Sequence, residues 1–128
     1  MDYQRDERQP SQVADDDWII ALRRNDISSY GINGKWLIHA QREKIDNIWK
    51  IIALATEEGC LGSFSKVSTI ALAFTAQTGV HTICIYTYNS SDYDDVMRVR
   101  ATLRELGITS FIPYVTWTDQ EQTTLYNE

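Results

Sequence analysis

Apolar residues recur along this chain at two different periods, and the changes of period mark its elements. "DWIIALRR" (Asp17–Arg24) and "GKWLIHAQR" (Gly34–Arg42) are short apolar stretches that predict strands, separated by the Asn-, Ser- and Gly-rich loop "NDISSYGING". In the second stretch Trp36, Ile38 and Ala40 alternate with Lys35, Leu37, His39 and Gln41. From Glu43 to Glu58 the spacing becomes three and four, with Ile45, Ile48, Trp49, Ile52 and Ala55 on one face; this predicts a helix ended by Gly59. "SKVSTIALAF" (Ser65–Phe74), the turn "TAQTGV" and "HTICIYTY" (His81–Tyr88) predict a hairpin. Asn89 or Ser91 can cap a second helix whose first turn holds Asp92, Asp94 and Asp95 at the positive end of its dipole. Its apolar stripe is Val96, Val99, Leu103 and Leu106, and Gly107 stops it. "ITSFIPYV" (Ile108–Val115) is the last predicted strand, with Pro113 favouring a sheet edge.

The order β-β-α-β-β-α-β predicts an α+β fold in which two helices, each with one apolar stripe, cover the same face of a largely antiparallel sheet. Residues 17–128 make one domain, and residues 1–16, polar and without periodicity, are expected to be an acidic mobile tail. The arrangement also suits an RNA-recognition module, but "SKVSTIALAF" lacks the aromatic residues that would stack bases.

Charge refines this picture. The net charge of −6 lies in the ends: residues 1–17 hold six acidic and two basic residues, and residues 116–128 hold three acidic and none basic. The middle, 18–115, carries ten basic and nine acidic residues, so a cationic site there is compatible with an acidic protein. Binding to long nucleic acid is disfavoured, because it needs a broad basic surface. No stretch is long and apolar enough to span a bilayer and the first residues do not resemble a secretory signal, so no membrane role and a cytoplasmic location are expected. Cys60 and Cys84 form no C-x-x-C pair and are expected as reduced thiols; no metal and no cofactor is expected.

If Trp36, Ile38 and Ala40 pack under the helices, Lys35 and His39 project onto the opposite, open face, expected about 7 Å apart. A fixed cation beside a group that donates a hydrogen bond or proton near neutral pH suits a phosphate; solvated surface residues are the plainer alternative. Lys66 stands near if its strand is a neighbour, yet strict alternation puts it with Ile70, Leu72 and Phe74, so joining the open face requires a bulge. Tyr86 and Tyr88 are candidates on the following strand, or ordinary half-buried aromatics. Trp18 and Trp117 are candidates for stacking, Arg23 and Arg24 for reaching a phosphate, while Arg98, Arg100 and Arg104 read as solvent contacts.

"GKW", "IDNIWKIIALATEEGCLG", "SKVST", "ICIYTYNSSDYDDVMRVRATLRELGI" and the terminal "TTLYN" together resemble the basophilic leukaemia expressed protein family over most of Gly34 to Tyr126. That resemblance implies a fold like that of the mRNA cap-binding translation initiation factor, a curved antiparallel sheet backed by helices. A second resemblance is to phosphothreonine lyases. It implies Lys66 as the proton-abstracting base and Lys35 and Trp36 as part of a Lys-aromatic-His pattern, with Leu37 at the histidine's place and His39 one repeat further as a substitute acid.

Three functions follow as expectations. The first is a binding domain whose open face, through Lys35, His39, Lys66, Tyr86, Arg23 and Trp18, receives a phosphorylated small molecule, a nucleotide or a phosphopeptide. The second is a lyase with Lys66 and His39 as its catalytic pair. The third is a protein-interaction or inhibitor module in which the acidic tail and a sheet edge meet a basic protein partner.

Overall fold

Residues 5–24, 34–118 and 121–128 are described in the computed structural model of the chain. Six strands, β1 (Trp18–Leu22), β2 (Gly34–Gln41), β3 (Phe64–Ser68), β4 (Val80–Tyr86), β5 (Pro113–Thr118) and β6 (Glu121–Asn127), form one curved sheet in the order β1-β3-β4-β2-β5-β6. Every adjacent pair is antiparallel. The helices are α1 (Arg42–Glu57), α2 (Ala73–Thr78) and α3 (Tyr93–Glu105). This is the α+β class expected from the sequence.

The alternation in β2 sorts the two faces of the sheet. Trp36 and Ile38 are buried, and so are the residues that share their side, Ile19 and Ala21 in β1, Val67 in β3 and Ile83 and Ile85 in β4. Against them lie Ile45, Trp49 and Ile52 of α1 and Val96, Val99 and Leu103 of α3, in one core cluster. Burying each such large side chain contributes about 1.5–3 kcal/mol. The Trp36 indole N–H donates to the Val96 carbonyl at 3.1 Å, which fixes α3 against β2. Asp92 caps α3 by accepting from the Asp95 amide. Gly34 opens β2 because a side chain there would meet the Tyr114 ring, 2.6 Å from its Cζ.

Several elements differ from the sequence-based expectation. The predicted strand Ser65–Phe74 stops at Ser68; Thr69 turns the chain, its hydroxyl accepting from the Ala71 amide, and the Ala-containing segment beyond folds as α2, closed by Gly79 at φ +72°. The acidic C-terminal stretch supplies β6, whose Tyr126 rests edge-on against Tyr93 and at a tilt against Tyr114. Pro113 is therefore not on an edge strand: it begins β5, between β2 and β6. Residues 5–16, expected as a mobile tail, are packed on the domain. Val13 joins the core, Ser11 donates its amide to Asp46 at 3.0 Å, and Arg5 Nε lies 2.7 Å from a carboxylate oxygen of Glu57, which is 1% exposed. The arginines of α3 are anchors rather than solvent contacts: Arg98 donates to the carbonyls of Cys60 and Leu61, and Arg104 to that of Thr109. Arg100, nearly fully buried, donates to Ile108, Ser110 and Glu128 main-chain oxygens at 2.7–2.9 Å. No helix among the described residues is long and apolar enough to cross a membrane.

Candidate functional site

Register decides which side chains share the open face. Lys66 pairs with Ile20 on one side and Cys84 on the other, and Cys84 pairs onward with Leu37; one row away, Lys35 pairs with Tyr86 and with Val115. Opposed residues point the same way, so Lys66, Cys84, Leu37, Lys35 and Tyr86 all stand on the side away from α1 and α3. Lys66 reaches this face without any bulge. Val67 is the core residue of β3, and Ile70, Leu72 and Phe74, which had seemed to fix the opposite parity, lie beyond the strand.

The two lysines converge on one aromatic ring. Lys35 Nζ is 5.3 Å and Lys66 Nζ 5.9 Å from the centre of the Tyr86 ring, and Lys66 Nζ is also 4.1 Å from the centre of the Trp18 ring. Phe64 stacks on Tyr86 with centroids 4.2 Å apart and planes 17° from parallel. Cys84 lies beneath, buried. Burial pushes its thiol up from the ordinary value, while the charges of Lys35 and Lys66 pull the other way. Burial, with a smaller contribution from Cys84, pushes the Tyr86 phenol up to about 12. Thiol and phenol are thus both held toward their neutral forms, and the positive charge of the cluster comes from two ammonium groups. Neither lysine has a carboxylate partner among the described residues.

Other candidates are not brought into this cluster. The expected 7 Å between Lys35 and His39 counted two residues where there are four, so at about 3.3 Å each they stand roughly 13 Å apart along β2. His39 is exposed, its Nδ1 lies 3.1 Å from the Thr82 hydroxyl, and it stands two strands and one same-face row away from Lys66, which pairs across Cys84 with Leu37. Arg23 follows Ile19 and Ala21 toward the helical side; it lies over the Tyr88 ring, donates to the Tyr88 hydroxyl, and passes within 3.1 Å of where a Cβ on Gly59 would sit. Arg24 is drawn to Glu57, with its amide on the Glu57 carbonyl. Trp117 is 58% exposed in β5, and the rings that the two ammonium groups cover are those of Tyr86 and Trp18. The sequence reading missed Phe64 and Cys84. Cys84 was legible from parity, since it alternates with Ile83 and Ile85 as Tyr86 does.

The comparison with known families bears on the same segment. A model of the Basophilic leukemia-expressed protein Bles03 family matches residues 23–112, which is 90 of the 128 residues. The chain belongs to that family. The matched Bles03 span contains Lys35, Lys66, Cys84 and Tyr86, and thus both ammonium groups and the ring they share. Trp18, β5 and β6 lie outside the Bles03 match, so the Trp18 ring that Lys66 covers comes from the flanking chain.

Proposed function

We propose that this Bles03-family chain is a binding domain for a phosphorylated ligand, held by Lys35 and Lys66 on the open face of the sheet. The observation that carries the reading is the convergence of two ammonium groups, neither paired with a carboxylate among the described residues, on one aromatic ring of an acidic protein. Leaving like charges together costs free energy, and an anion between them reverses that cost. A phosphate also gives each ammonium a charge-assisted hydrogen bond, worth about 1.5–3 kcal/mol. A nucleotide is one member of this class, favoured by the resemblance to the cap-binding fold; small phosphorylated molecules and phosphopeptides are others. The Trp18, Phe64 and Tyr86 rings beside the ammonium groups suit a ligand with an apolar portion next to its phosphate.

The test is a titration of the full chain with pyrophosphate, ADP, GTP and a phosphothreonine peptide, followed by nuclear magnetic resonance of the lysine and tyrosine side chains. At least one probe is expected to shift Lys35, Lys66 and Tyr86 together. Lys35→Ala and Lys66→Ala should each weaken that probe about tenfold or more. A flat response of these residues across the panel, or unchanged binding in both variants, overturns the proposal.

A further inference from the structure

The surface around the two ammonium groups is uneven, and its exposed aliphatic part lies to one side. Trp18, Ile20 and Leu22 alternate with the buried Ile19 and Ala21, so their side chains stand on the open face with Lys66. Ile20 pairs with Lys66 and Leu22 with Phe64, and Phe64 stacks on the Tyr86 ring that Lys35 and Lys66 share. Ile20 and Leu22 are each 47% exposed. In line with the ammonium groups toward β2 and β5, the apolar side chains are already covered: Cys84, Tyr86 and Val115 are buried and Leu37 is half-buried. The exposed Trp117 stands one same-face row beyond Lys35. The apolar area still to be removed from water beside the two lysine rows is therefore that of Ile20 and Leu22, about 5 Å across from the Lys66 strand and about 10 Å from the Tyr86 strand.

We infer that the phosphorylated ligand of this face is a single-chain amphiphile, a monoalkyl phosphate whose anionic head lies at Lys35 and Lys66 and whose aliphatic chain passes Phe64 onto Ile20 and Leu22. This rests on the phosphate reading and narrows it to one class of ligand.

The chemistry of the patch selects the tail. The side chains of Ile20, Leu22 and Phe64 offer no hydrogen bond, so a group carrying donors and acceptors would lose water there without replacement. A nucleobase and a peptide both carry such groups, whereas a saturated chain carries none. Covering half-exposed aliphatic carbon gains free energy in proportion to the area removed from water, so affinity rises with chain length until the chain has crossed both side chains. Over the roughly 10 Å from the Tyr86 strand to β1, a chain of about eight carbons reaches Ile20 and Leu22. Charge fixes the head at the other end, since neither lysine has a carboxylate partner among the described residues.

The experiment titrates the full 128-residue chain, by calorimetry and side-chain nuclear magnetic resonance, with ethyl, butyl and octyl phosphate below their micelle concentrations, and with octyl glucoside as the uncharged counterpart. Octyl phosphate should bind at least about tenfold more tightly than ethyl phosphate and shift Ile20 and Leu22 together with Lys35 and Lys66. The double substitution Ile20→Thr, Leu22→Thr should bring the two within about twofold of each other while ethyl phosphate binds as before, which also shows that the variant is folded. Octyl glucoside should bind at least about tenfold more weakly than octyl phosphate. If ethyl phosphate shifts the two lysines but longer chains bind no tighter, or if the double variant keeps the gain, the single-chain ligand is overturned and the phosphate reading stands. If neither the alkyl phosphates nor pyrophosphate shift the lysines, both are overturned. A chain-length gain lost in Trp117→Thr rather than in the double variant overturns the inference, as does octyl glucoside binding as tightly as octyl phosphate. Vesicles of phosphatidylcholine and phosphatidic acid complete the set: binding to them without a gain from ethyl to octyl phosphate in solution overturns the inference and assigns the patch to a membrane surface.

Discussion

The ammonium nitrogen of Lys66 sits 4.1 Å from the centre of the Trp18 ring, so a charge on the second strand of the sheet is held against an aromatic on its edge strand. A cation over an indole face contributes about 0.5–1 kcal/mol at an exposed site and more when desolvated. Lys66→Met is therefore expected to lower stability by about 0.5–1 kcal/mol, with Lys66→Arg closer to the wild type. In a urea double-mutant cycle, Trp18→Leu should cost less in the Lys66→Met background than alone. Strictly additive losses would contradict the contact.

Tyr86 gives a pH dependence of definite sign. Its phenol is pushed up to about 12 by burial, against an ordinary value near 10, so the folded state keeps its proton where the unfolded state has lost it. The stabilisation from the neutral phenol is whole below pH 10 and falls as pH climbs from 10 toward 12, by at most about 1.4 kcal/mol per pH unit. Urea unfolding between pH 9 and 11 should show a steeper decline in the wild type than in Tyr86→Phe. Parallel curves would refute the role of this group.

Arg5 and Glu57 join the N-terminal segment to the end of α1. Glu57 is 1% exposed and Arg5 35%, so Arg5→Ala leaves a buried carboxylate whose remaining ion-pair partner among the described residues is the more distant Arg24, at 3.9 Å. The loss is expected to be about 1–3 kcal/mol, and Glu57→Gln should cost less than Arg5→Ala because it removes the buried charge itself. Denaturant titration of the two variants checks the order.

Arg100 cannot be exchanged for lysine without loss. Its three nitrogens each serve a different main-chain oxygen, at Ile108, Ser110 and Glu128, whereas an ammonium is one point charge without a fork. Arg100→Lys should destabilise by about 1–3 kcal/mol and raise amide exchange around residues 108–112. Exchange unchanged there would show that these carbonyls find other partners.

How much of this was legible in the sequence depended on whether the signal was local. The stripes Ile45-Trp49-Ile52 and Val96-Val99-Leu103 declared α1 and α3 directly, because a helix needs one apolar face to be held. The parity of β2 likewise placed Lys35 on the open face. The bulge expected for Lys66 was unnecessary because "SKVSTIALAF" does not show where a strand gives way to a turn: Thr69 marks that point, with a hydroxyl-to-backbone bond that apolar periodicity does not register. β6 was hidden because "EQTTLYN" is exposed on most of its length and shows little contrast between its faces. The anchoring by Arg98, Arg100 and Arg104 was illegible for another reason, since long cationic side chains look alike in sequence whether they reach water or a distant carbonyl. Phe64 could enter the site only through pairing in three dimensions.

The Arg100 fork has a consequence for the order in which the molecule comes apart. It holds the approach to β5 and the end of β6 with the same guanidinium, and Ile112 and Glu128 close the circuit between them. Neither end of that terminal hairpin can fray alone without stripping partners from the other, so the hairpin and residues 108–112 are expected to open as one cooperative foldon, with a common free energy of opening.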